Sequence, residues 1–91
     1  MMTECKEFGW IHTVTIKFDP NTDVELYVEL AGDGWSTTSR TPRVVERLRT
    51  LMDNARASRL DELVGKPITA TFTHLGGTLT EWDIFTPVIP K

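Results

Sequence analysis

Strict alternation of apolar and polar residues in two nearby runs is the feature that most constrains this chain. Trp10, His12, Val14, Ile16 and Phe18 fall on one side of an extended backbone, and Ile11, Thr13, Thr15 and Lys17 on the other. Val24, Leu26, Val28 and Leu30 likewise oppose Glu25, Tyr27 and Glu29. A period of two with β-branched and aromatic enrichment is the mark of a half-buried strand, and it leaves no helical stripe. Between the runs lies Asp19-Pro20-Asn21-Thr22-Asp23, a turn-forming segment. A five-residue loop pairs Phe18 with Val24 and Ile16 with Leu26, which keeps both apolar rows on one core-facing side.

Residues 32–41 are rich in Gly, Ser and Thr and read as a loop or a ragged edge strand. A helix is predicted next. Thr41 can cap it, and Pro42 suits its first position, where the missing N–H has no partner inside the helix. Val44, Val45, Leu48, Leu51, Met52 and Ala55 recur at helical spacing, as on a helix lying against a sheet. A short turn from Arg59 to Val64 stops at Gly65, a suitable left-handed residue. The last third is a second hairpin, with Ile68, Ala70, Phe72 and His74 in one inward row and Trp82, Ile84 and Val88 in the other. A three-residue loop, Leu75-Gly76-Gly77, pairs Ala70 with Trp82 and Ile68 with Ile84 and asks for a left-handed Gly77. Pro87 belongs at a strand end.

These elements predict an α+β fold, ββαββ, with a four-stranded antiparallel sheet packed on one main α-helix. Residues 1–7 are expected as a flexible N-terminal tail and 8–91 as a single domain. Strand order is left open by the pattern. With 91 residues, 40% of them hydrophobic and 25% charged, the composition is that of an ordinary globular domain. The one cysteine, Cys5, excludes an intrachain disulfide and fits a reducing compartment. No apolar stretch approaches the roughly 20 residues of a membrane span, and Met1–Glu7 has no secretory h-region.

Leu60, Leu63, Gly65, Gly76, Gly77 and Trp82 form a pattern of a Leu-x-x-Leu-x-Gly turn, an extended run, a Gly turn and a Trp-bearing last strand. In this, about a third of the chain resembles the C-terminal half of small accessory proteins of bacteriophages that infect actinobacteria. The Gly32–Trp35 stretch is similar to a Gly-Trp loop in some of them. The resemblance implies an accessory protein acting in the cytoplasm of an infected host, with no substrate and no catalytic residue attached.

The residues themselves offer few chemical sites. Asp19, Asn21, Asp23 and Glu25 alternate like calcium ligands, but Val24 and Leu30 stand where a calcium loop needs Gly and its closing Glu. His12, His74 and Cys5 lack zinc-ligand spacing, and Cys5 has only Lys6 nearby to lower its pKa. No nucleophile elbow or phosphate loop is present. The chain therefore reads as a non-enzyme without a cofactor or metal.

Charge and aromatic residues carry more. Residues 40–59 hold Arg40, Arg43, Arg47, Arg49, Arg56 and Arg59 against Glu46 and Asp53, a net of +4 in a chain of net −3. Arg49–Asp53 and Asp53–Arg56 have the spacing of helix surface pairs. Arg40 and Arg43 sit at the helix start, where the macrodipole disfavours cations. Trp35 lies in a polar segment where no alternating row claims it. Trp35, Arg40, Arg43 and Arg47 are thus the expected partner-binding residues. Tyr27 and Phe85, which share the outer face of the sheet with Ile11 and Leu79, are secondary candidates. The expected partner is a host or host-defence protein with an acidic surface, inhibited or modulated by occlusion. A nucleic-acid module using the arginine helix and a self-assembling structural protein, including a homodimer, are the alternatives. No membrane partner is expected.

Overall fold

The computed structural model describes residues 4–85 except Thr22, with the side chain of Asp19 also outside the description. Its strands are β1 (Cys5–Asp19), β2 (Asp23–Gly32), β3 (Trp35–Thr41), β4 (Pro67–Phe72) and β5 (Leu79–Ile84). Between β3 and β4 come one helix, α1 (Val44–Ala55), and a 3₁₀ turn, Leu60–Leu63. The strands form one antiparallel sheet in the order β3-β2-β1-β4-β5. The α+β class holds, but the sheet has five strands rather than four, because Trp35–Thr41 pairs along β2 as an edge strand.

β1 is long because it serves two partners. Cys5–Trp10 pairs with β4, and Gly9–Asp19 pairs with β2. Residues 5–7, expected in a tail, therefore belong to the ladder. The first hairpin has the expected register, Phe18 with Val24 and Ile16 with Leu26. The register shifts between Ile11 and Thr13, leaving His12 as an extra residue. Such a bulge reverses which side chains face inward on its two sides. Ile11 consequently turns into the core and is fully buried, whereas Trp10 turns out and is 44% exposed. His12 is exposed as well. The bulge is clamped to the 3₁₀ turn, as the Ile11 N–H donates to the Lys66 carbonyl at 3.0 Å and the Gly65 N–H donates to the Ile11 carbonyl at 2.7 Å. Gly65 has the left-handed φ of 90° that its place after the turn requires.

The second hairpin pairs Ala70 with Trp82 and Ile68 with Ile84, as expected, but the register shifts between Thr71 and Phe72, so Phe72 meets Leu79 and the connection is longer than the expected three-residue loop. Its turn closes through the Gly77 N–H donating to the His74 carbonyl, and the left-handed residue is Gly76, at φ 77°, not Gly77. His74 is exposed at this turn rather than core-facing. Pro87 and Val88 lie outside the described residues.

The helix begins later than expected. Thr41 is occupied in the β2–β3 ladder opposite Leu26, so it does not cap; Arg43 takes the cap position without a side-chain hydrogen bond. Leu51 and Ala55 are buried, and Val44, Leu48 and Met52 pack against the core, but Val45 is 68% exposed. The core lies between this helix and the inner rows Leu26-Val28-Leu30, Ile68-Ala70-Phe72 and Trp82-Ile84, joined by Ile11 and Leu63. The far end of the first hairpin extends beyond it: Ile16 is 46% and Phe18 70% exposed, although both were expected in the core.

Candidate functional site

Trp35 and the arginines do not converge. Trp35 opens β3 on the inner face, opposite Gly32, and it joins a core-facing row that the pattern alone did not reveal. Gly32 pairs with Gly9 across β1–β2, and these residues leave a trough without side chains. The indole lies along it: a Cβ on either glycine would collide with the ring. Its edge meets Phe72, with ring centroids 5.2 Å apart and planes at 77°. The indole Nε1 is buried without a hydrogen-bond acceptor. Leaving such a donor unmet costs about 1–3 kcal/mol, which the ring's packing must offset.

Arg40 faces the other way. Its side chain lies on the outer face, with Nη2 3.3 Å from Glu25 Oε1 and the guanidinium 5.2 Å from the centre of the Tyr27 ring. The hydrogen bond and charge of Glu25 hold the Arg40 guanidinium even above its usual pKa. Lys17 Nζ also approaches the Tyr27 ring, at 4.4 Å. Arg43, at the helix start, is exposed and paired with Glu46 at 3.6 Å. The expected Arg49–Asp53 and Asp53–Arg56 pairs are absent among the described residues; Arg59 instead pairs with Asp61 and Glu62.

Arg47 has an internal task. Its Nη2 donates to the Trp82 carbonyl at 2.9 Å, and its guanidinium lies 4.6 Å from the centre of the Trp82 ring. It thereby ties the helix to edge strand β5. Arg47→Met, which keeps the apolar stem, should cost about 1–2 kcal/mol, visible as a lowered urea midpoint. An unchanged midpoint would show that this contact contributes nothing in solution.

The outer face divides into two zones. Around β1–β2–β3 it is polar, with Thr13 donating to Glu29 at 2.7 Å beside the Glu25–Arg40–Tyr27–Lys17 group. Around β1–β4–β5 it carries aromatics beside Lys6, Glu81 and Asp83: Phe8 is 65%, Trp10 44% and Phe85 38% exposed. The Phe8 and Phe85 rings meet edge-on at 5.5 Å. Ile11 and Leu79, expected on this face, are instead fully buried and packed against the core, respectively. Phe8 and Trp10 were missed as outer-face residues because one inserted residue, His12, reverses the alternation before it. The outward Lys6-x-Phe8-x-Trp10 row was the available signal.

Cys5 and His74 line one cleft on the inner face. The Cys5 thiol donates to Glu7 Oε1 at 3.4 Å, and that hydrogen bond, followed by desolvation and the carboxylate's charge, pushes its pKa up. This is the opposite of what an attacking thiolate needs. Thiolate ultraviolet absorbance should therefore titrate above the ordinary thiol range in the folded protein, and Glu7→Ala should bring it back down. A folded-state titration at or below the unfolded one would contradict the Cys5–Glu7 contact. No group of His, Cys, Asp or Glu suited to hold a metal ion occurs among the described residues, and no helix among them is long and apolar enough to cross a membrane.

Compared with known proteins, the chain matches no family model, no curated protein and no solved structure.

Proposed function

We propose that this chain is a non-catalytic binding protein of the phage accessory type, which occludes a host or host-defence protein in the host cytoplasm. The exposed aromatic cluster Phe8, Trp10 and Phe85 on the outer sheet face carries the reading. Large exposed aromatics on a soluble chain favour contact with another protein, and Trp and Tyr are among the commonest interface anchors. Pairing of Trp10 with both β2 and β4, and of Phe8 with β4, holds them in place before any partner arrives, which lowers the ordering cost of binding. Arg40 and Lys17 beside Tyr27, matched by Glu25 and Glu29, supply a margin of mixed charge suited to a polar partner surface. The raised Cys5 pKa speaks against Cys5 as a thiolate nucleophile.

Capture from an actinobacterial host lysate, followed by affinity measurement on the recovered protein, tests this. Truncating a true anchor costs about 2 kcal/mol or more, roughly thirtyfold in affinity. Trp10→Ala and Phe8→Ala should each produce such a loss with the folding midpoint nearly unchanged. Arg49→Ala, on an exposed helix residue, and Arg56→Ala, at the exposed C-cap, should not. If only the arginine variants lose binding, and the captured species is nucleic acid, the arginine-helix reading replaces this one. Concentration-dependent self-association abolished by Trp10→Ala would make the same face a homodimer surface.

A further inference from the structure

A cleft of about 550 Å³ opens on the inner side of the sheet, at the end opposite the β1–β2 turn, and no helix residue lines it. Its floor is Trp35 and Phe72, edge to face. One wall is the β2–β3 turn with Asp33, the other is the β4–β5 loop, and β1 contributes Cys5 and Glu7. The volume falls within the usual range for small-molecule sites, and the lining is mixed, with Trp35, Phe72 and Leu75 set among Glu7, Asp33 and His74.

Its fixed charges are acidic. Glu7 and Asp33 line the cleft, with His74 on the β4–β5 loop and no Lys or Arg. Glu7 is half-buried on the inner row, and among the described residues its carboxylate has no ion-pair partner, only the Cys5 thiol. A carboxylate drawn partly out of water beside the partly buried Trp35 ring is complementary to a cation carrying an apolar body. The ammonium would donate charge-assisted hydrogen bonds to the carboxylate, and the body would lie against the Trp35 ring.

We propose that this cleft binds a small organic cation of the arylalkyl-ammonium class, its ammonium at Glu7 and its apolar part on Trp35 and Phe72. The site is on the opposite side of the sheet from the aromatic face, so it stands or falls independently of that reading.

Calorimetric titration with phenethylammonium, against its neutral counterpart phenethyl alcohol, tests the proposal on the whole chain. The ammonium should bind saturably and one-to-one, with the alcohol weaker by about tenfold or more, the scale of one lost charged hydrogen bond. Glu7→Gln, which keeps the side chain's shape, should weaken the ammonium by about tenfold and leave the alcohol unchanged. Equal binding of ammonium and alcohol would overturn the proposal, as would full retention of affinity in Glu7→Gln or no saturable binding up to about 10 mM. Should Glu7→Gln fail to fold, the ammonium–alcohol comparison on the unaltered chain decides the matter.

Discussion

Phe72→Ala is expected to destabilise the protein by about 3–5 kcal/mol, the cost of emptying a large aromatic site in a core. Phe72 is 9% exposed and sits on the inner row of β4, between Cys5 of β1 and Leu79 of β5. Its ring also supports the edge of Trp35. Truncation therefore opens a cavity and removes the far support of the indole in one step. Small domains have about 5–15 kcal/mol in total, so the variant should be close to unfolding. With urea slopes of about 1–3 kcal/mol per M, the midpoint should fall by well over 1 M. A midpoint equal to wild type would mean that the inner row of β4 is assigned to the wrong face.

Gly32→Ala should cost about 1–3 kcal/mol, and the cost should nearly vanish when Trp35 is also replaced by Ala. A Cβ at Gly32 would meet Nε1, Cε2 and Cζ2 of the Trp35 indole, so the collision is with that side chain. Gly32 has no left-handed φ, and backbone strain plays no part. Gly9→Ala is the contrasting case, since its Cβ would also strike the Ala31 carbonyl oxygen. That penalty should persist in the Trp35→Ala background. A thermodynamic cycle from denaturant curves reads both couplings. Additive Gly32 and Trp35 effects would show that the indole does not lie in the trough.

The two expected hairpins are present because local alternation and loop length act together. Phe18 opposite Val24 and Ala70 opposite Trp82 follow from keeping apolar rows on one face across a short turn. The helix was legible from its apolar spacing, but not its start. Thr41 is as good a cap as it is a strand residue, and the β2 ladder, a non-local partner, claimed it. Of the expected binding residues, Tyr27 and Phe85 lie on the outer face, whereas Trp35 and Arg40 lie on opposite faces of the same strand. Six residues cannot act as one surface patch merely by being near in sequence, because adjacent strand positions point to opposite sides.

Sequence by itself determined the α+β class, the register of the first hairpin beyond its bulge, the Ala70–Trp82 and Ile68–Ile84 pairs of the second, the helix body and the left-handed Gly65, because each depends on periodicity or turn chemistry within a few residues. Tertiary structure alone decided the fifth strand, the strand order and the partner change along β1. It also decided the bulge at His12, which turned Ile11 inward and set Phe8 and Trp10 on the outer face. An alternating pattern states which residues share a side, but an inserted residue exchanges the sides at no visible cost in the pattern. It also cannot state how far a helix reaches. One helix covers only part of this sheet, which leaves Phe18 exposed at one end and the Trp35–Glu7 cleft open at the other.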